Sequence, residues 1–183
     1  MKAKRNRFAL ALGPMALAGG LLGSGGAWAA GTETGMLTVN ATVQGACSIG
    51  DQTLNFGNIT SINVGTAGIL EANAEHDATT IVAVICTSGT EGTVTLNDGV
   101  NKGATYRRMK NVTTADLIEY HLYNNSYTTE IAADNGATTA YTITGDGTNK
   151  SFTVYGRILA AALSNQVTGA YTDSVTMTIN YTP

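Results

Sequence analysis

Two cysteines, two histidines and a few grouped charges are the side chains here whose types could do chemistry, and their spacing favours structural tasks. Cys47 and Cys86 lie too far apart for a C-x-x-C redox or metal pair, with no histidine close to either in sequence. In an exported chain an isolated pair reads as one disulfide. Closing a loop of about 40 residues removes about 4 kcal/mol of unfolded-chain entropy in the chain-entropy account. Glu75, His76 and Asp77 could ligate a metal, but strand neighbours point to opposite faces, and residues 58–79 read as a solvated loop. Asp146 in G-D-G superficially suggests calcium; one carboxylate falls short of the six to eight oxygens calcium takes, so a turn is expected. His121 alternates with Glu119 on a polar strand face and has no nucleophile nearby, which reads as a surface histidine. Arg107, Arg108 and Lys110 read as a solvated strand edge that discourages association. The sequence holds no G-x-S-x-G, no H-E-x-x-H and no phosphate-cradling glycine loop before a helix. No catalytic, metal or cofactor site is assigned, and an exported enzyme is the least favoured reading.

These residues need strands to hold them. Residues 1–29 must first be set apart, because they have the three parts of a secretory signal. Lys2, Lys4, Arg5 and Arg7 form the head, residues 8–22 the apolar middle, and A-W-A at 27–29 the cleavage site. Gly13, Pro14, Gly19 and Gly20 interrupt the apolar run, so it makes a poor membrane span. Of the 183 residues, 154 remain, enough for one domain with a sizeable core. The leader takes four of the ten basic residues and none of the 13 acidic ones, leaving a balance of −7. That charge argues against nucleic acid or an anionic membrane as partner.

The rest is rich in threonine, glycine and asparagine, and no proline interrupts it between Pro14 and Pro183, as suits strands joined by turns. Residues 36–43, M-L-T-V-N-A-T-V, alternate Leu37, Val39, Ala41 and Val43 against Thr38, Asn40 and Thr42, the pattern of a half-buried strand that needs a groove to lie in. A short strand is expected at 54–56. Residues 81–86 form the most apolar run, read as a strand buried on both faces opposite the one carrying Cys47. Further strands are expected at 93–96, at 117–123 with Ile118, Tyr120 and Leu122 inward, and at 141–143. Another spans 152–159, where Gly156 marks a bulge or close packing. Turns fall at Asn97, Asp98, Gly99 and at Gly145, Asp146, Gly147, and residues 160–163 could make one helical turn. Across 173–181, Val175, Met177, Ile179 and Tyr181 alternate with Ser174, Thr176, Thr178 and Asn180, the cleanest amphipathic strand of all. Seven or eight strands without helical periods define an all-β sandwich.

In that order the pieces resemble the spore coat protein U domain, the domain of archaic (Csu-type) chaperone-usher pilins. The likeness rests on the period-two strand running into Cys47, L-N-F-G at 54–57, V-I-C-T-S-G-T at 84–90 and R-M at 108–109. It continues through Y-H-L-Y at 120–123, V-Y-G-R-I at 154–158 and G-A-Y-T-D-S-V-T-M-T-I-N-Y at 169–181. The resemblance implies an immunoglobulin-like β-sandwich that is incomplete, its last strand supplied in trans. It implies a domain plan of signal peptide (1–29), donor-strand extension (30–46) and pilin domain (47–183). Leu37, Val39, Ala41 and Val43 become the donor residues, Ala41 being smaller than the aliphatic side chain expected there. Cys47 and Cys86 become the bridge, and Val175, Met177, Ile179 and Tyr181 one wall of the acceptor groove. Implied partners are neighbouring pilus subunits, a periplasmic chaperone and an outer-membrane usher.

The expected function is a structural pilus subunit, exported through the periplasm to the cell surface, polymerised by donor-strand exchange, and serving adhesion and biofilm. An open sheet edge favours association, a donated strand supplies main-chain bonds and pocket-filling side chains, and a head-to-tail contact builds an open fibre. The rivals are a self-contained secreted sandwich that binds ligands through its loops, and a coat or matrix protein that uses the domain without an usher.

Overall fold

A computed structural model describes residues 30–59, 75–133 and 136–182. The expected signal peptide and much of the expected loop at 58–79 lie outside these residues. The chain divides into two units, Met1–Asn40 and Ala41–Pro183. In the first, residues 30–40 form no helix or strand, and Leu37 and Val39 are 87% and 81% exposed.

The second unit holds nine strands among its described residues. They are β1 (Cys47–Ile49), β2 (His76–Cys86), β3 (Glu91–Leu96), β4 (Arg107–Asn111), β5 (Leu117–Tyr123), β6 (Thr138–Thr144), β7 (Asn149–Ile158), β8 (Tyr171–Thr172) and β9 (Met177–Thr182). A single 3-10 turn, Ala160–Leu163, follows β7. Six strands form one sheet in the order β1-β2-β7-β5-β4-β8, three form a second in the order β6-β3-β9, and the paired neighbours are antiparallel. Val82, Val84, Ile118, Leu122, Val154 and Ile158 from the larger sheet share a core with Val94, Leu96 and Ile143 from the smaller. Period-two alternation produces this, since each strand gives one face to the other layer.

The strand at 117–123, the two turns, the helical turn and the pairing of Cys47 opposite Cys86 stand where the sequence places them. Five expectations are corrected. Residues 81–86 are buried on one face only: Val82, Val84 and Cys86 point inward, while Ile81 and Ile85 are 63% and 47% exposed, because a two-layer sandwich covers each sheet once. Residues 76–79 belong to β2 and not to a loop, held opposite β7 with Asp77 paired to Arg157. Arg107 is 1% exposed, not solvated, and its guanidinium holds loop carbonyls. His121 is 7% exposed, not a surface residue; its Nδ1 lies 2.8 Å from Glu130 Oε1, and the Tyr106 ring lies against it. The expected strand at 173–181 is interrupted: β8 ends at Thr172 in the large sheet, and β9 begins at Met177 in the small one.

Candidate functional site

The interruption between β8 and β9 makes one side of an open groove. The break falls at Asp173, whose two carboxylate oxygens are both engaged. Oδ1 accepts the backbone N–H groups of Val100 and Asn101 at 3.0 and 3.1 Å, and Oδ2 accepts the Tyr120 hydroxyl at 2.7 Å. Three residues on, the Thr176 N–H donates to Asn97 Oδ1 at 2.8 Å. Two side-chain contacts with one turn thus carry the chain from sheet to sheet. Among the described residues, the edge between β8 and β9 is left without a ladder partner of its own.

Residues 50–59 make the opposite side. Leu54 and Phe56 are half-buried and Asn55 is exposed, the alternation of a strand, yet among the described residues the segment has no ladder partner. The short strand expected at 54–56 is present in pattern and absent in pairing. Gly156 sits beneath it. A Cβ there would come within 2.8 Å of Leu54 Cδ2 and 2.9 Å of Phe56 Cζ, so close packing and not a bulge is this glycine's role.

Between the two sides run two adjoining clefts, of about 360 and 460 Å3, which share Leu54, Asn55, Phe56, Met109 and Tyr171. Leu96, Tyr120, Leu122 and Val154 floor the first, and Ile118 and Leu163 floor the second. The floor is therefore the sandwich core itself, open between two backbone edges that are unpaired among the described residues. Burial, and then the bond to Asp173, push the Tyr120 phenol far above the usual range, so it stays a neutral donor. A site of this make-up has the form of a missing strand. It presents main-chain groups for a ladder and apolar pockets for alternate side chains. Filling a pocket with a Val or Leu side chain stabilises by about 1.5–3 kcal/mol.

Val175 and Met177 line the first cleft. Ile179 packs on the core beside Gly92, and Tyr181 is 42% exposed opposite Gly92, so neither lines the clefts. Cys47 and Cys86 are bonded to each other. Val43 is 84% exposed and Ala41 is exposed, and residues 41–46 form no strand. Periodicity did not single out Leu54, Phe56, Met109, Tyr171 or Gly156 as groove residues. All five fall within the motifs that carry the family resemblance.

A two-layered all-β sandwich with an open groove beside its last strand defines the class, and a solved structure matches its fold. A chain of the CsuC–CsuE chaperone–tip adhesion subunit pre-assembly complex, from the archaic chaperone-usher Csu pili of Acinetobacter baumannii, superposes with a TM-score of 0.51 at 21% identity. The overlap covers 75% of this chain and 40% of that one. The P pilus rod subunit PapA gives a TM-score of 0.46 at 12% identity over 74% of this chain and 98% of its own, too low to bear on the fold. The fold is an immunoglobulin-like β-sandwich. Residues 33–178 match the Spore Coat Protein U domain, and the chain belongs to that family. It is also 32% identical over 162 residues to Protein U of Myxococcus xanthus, covering 83% of this chain and 87% of that protein.

Proposed function

We propose that this chain is a structural subunit of an archaic chaperone-usher pilus, and that residues 36–43 of one copy complete the groove of the next. One observation carries the reading: among the described residues the core opens between two unpaired edges, and the period-two segment of the same chain has no ladder partner. Leu37, Val39, Ala41 and Val43 would face the floor, and Thr38, Asn40 and Thr42 the solvent. Each copy gives at one end and receives at the other, so the contact repeats into an open fibre. Before assembly a periplasmic chaperone would occupy the groove, and an outer-membrane usher would exchange it for the next copy's strand. That sequence of partners requires export to the cell surface, with the leader at 1–29 removed, and fits adhesion and biofilm growth. Family membership and the shared fold support the reading. The family's own description, a spore coat domain, favours a second reading in which the same contact builds a coat without an usher.

The test moves residues 31–43 to the C-terminus through a short flexible linker and compares size and thermal melting with the native order. A stable monomer from the moved strand, against polymers or aggregates from the native order, is the expected result. A native order that is already a stable monomer and gains nothing from the move would sink the proposal.

A further inference from the structure

The outward face of β5 and β7, turned away from the groove, carries a file of aromatic rings. Tyr106 lies 4.7 Å from His121 between ring centroids, and His121 stacks on Tyr123 at 6.3 Å. Tyr123 meets Tyr127 edge-on at 5.8 Å, and Tyr127 meets Tyr155 at 5.3 Å. Strand register sets the order. His121 stands opposite Arg157, Tyr123 opposite Tyr155, and Asp77 of β2 opposite Arg157 on its other side. Four of the eight tyrosines thus share this surface, and none of the four lines the clefts of the groove.

Strain within the file, at Tyr127, is a second, independent observation. Residues 125–128 turn tightly after Tyr123, which bridges back to Glu130, and the Thr128 N–H donates to Asn125 O at 2.7 Å. Ser126 and Tyr127, at the centre of the turn, have φ of 38° and 64°. Two successive positive φ values are the mark of a type I′ turn, where Asn and Gly are the favoured residues. A bulky side chain there is an outlier, and such strain clusters at ligand clamps. What the tyrosine adds in return is its ring, laid across β5 and β7 with Arg157 Cζ 4.3 Å from the centroid.

We propose that this face binds a neutral or amino-bearing glycan. Its pyranose rings would stack on Tyr127, Tyr155 and Tyr123, and its hydroxyl or ammonium groups would meet the carboxylates at the margin. The margin is polar and acidic: Asp77 and Glu75 pair with Arg157 at 2.7 and 3.1 Å, and Glu130 pairs with His121. A wholly apolar occupant would bury these charged groups without new partners. An anionic one would meet three carboxylates against one guanidinium. A sugar ring has the matching mixture, apolar C–H faces bounded by hydrogen-bonding groups. The site is separate from the groove and does not depend on how copies assemble.

The test titrates the full exported chain with a cello-oligosaccharide, a chitosan oligosaccharide and polygalacturonate. Tyrosine fluorescence is the readout, since the sole tryptophan, Trp28, lies in the leader. Saturable binding of the neutral or the amino oligosaccharide is expected, and Tyr155→Ala and Tyr127→Asn should each weaken it about tenfold or more. Tyr127→Asn relieves the turn and gives up the ring's contacts with Arg157, Tyr123 and Tyr155, two opposing effects that should leave its melting temperature within about 2–4 °C of the parent's, so its loss of binding would not reflect a damaged fold. No saturable change with either sugar, unaltered binding in both variants, or equal binding of polygalacturonate would each overturn the proposal.

Discussion

The Tyr120 hydroxyl donates to Asp173 Oδ2 at 2.7 Å, joining the middle of β5 to the point where the chain leaves one sheet for the other. With Oδ1 gathering the Val100 and Asn101 N–H groups and the Asn101 amide, one carboxylate locks a turn, a core strand and the groove wall together. Gly99 completes the arrangement. Its φ is +80°, and a Cβ there would collide with the same carboxylate.

Removing the hydroxyl should therefore cost less than removing the carboxylate. Tyr120→Phe loses one bond to a charged group, about 1.5–3 kcal/mol. Asp173→Ala leaves the buried phenol and two N–H groups unpaired and should cost more. Urea midpoints with an unchanged m value would measure both. Equal stability of the two variants would contradict this role for Asp173.

Gly156 holds the other side of the groove. Gly156→Ala forces Leu54 and Phe56 to move, with an overpacking cost of about 1–3 kcal/mol. Because the displaced side chains line both clefts, a peptide of residues 36–43 should bind this variant more weakly than the parent. Calorimetric titration of donor-deleted protein, refolded with and without peptide, reads this directly.

Arg107 reaches two loops from inside the protein. Nε and Nη2 donate to Asn97 O at 3.0 and 2.7 Å, and Nη1 donates to Ile131 O at 2.5 Å. Desolvation lowers its pKa from the ordinary value. Arg107→Leu should destabilise by about 3 kcal/mol or more, since each stranded carbonyl costs about 1–3 kcal/mol. Arg107→Lys should rescue only partly, because an ammonium lacks the planar fork that serves both loops. Thermal melts of the two variants check the ranking.

The sandwich and most strand positions were legible in the sequence because alternation and turn chemistry are local. The groove was legible only in part. Val175, Met177, Ile179 and Tyr181 share one period, yet only Val175 and Met177 line a cleft, because the chain changes sheets between Thr172 and Met177, and that crossover depends on Asp173 meeting residues far off in sequence. Charge type misled at Arg107 and His121 for the same reason. Their partners, Ile131 O and Glu130, lie 24 and 9 residues away across turns, and strand alternation does not say which residues a turn will bring together. Ile81 and Ile85 misled in the opposite direction, since an apolar run does not state how many layers will cover it.

Acid should weaken the β2–β7 ladder first at its Asp77 end. The paired guanidinium of Arg157 holds the Asp77 carboxyl below its ordinary value of 3.8. A depressed carboxylate pKa contributes stability above the unfolded value, and the contribution is lost as pH falls through the folded one. The pair is partly exposed, so the effect is modest and screened by salt. Melting temperature should fall more steeply below about pH 4 in the parent than in Asp77→Asn. Parallel curves for the two proteins would remove Asp77 from the acid response.

Alternation along residues 36–43 gives the assembly proposal its sharpest discriminator. If that segment fills the groove of another copy, its two faces have different tolerances. Thr38→Lys and Asn40→Lys should assemble normally, because those side chains would stay in water. Val39→Lys should abolish polymers, because an ammonium would be buried among Leu96, Leu122 and Val154 without a partner. Ala41→Leu tests the small position separately, and a shallow pocket there should slow assembly without altering the fold of the subunit. The pattern can be read from polymer size by sedimentation, with thermal melting as the check on folding. A segment whose two faces respond alike would be a flexible leader and not a donor, whatever the shape of the groove.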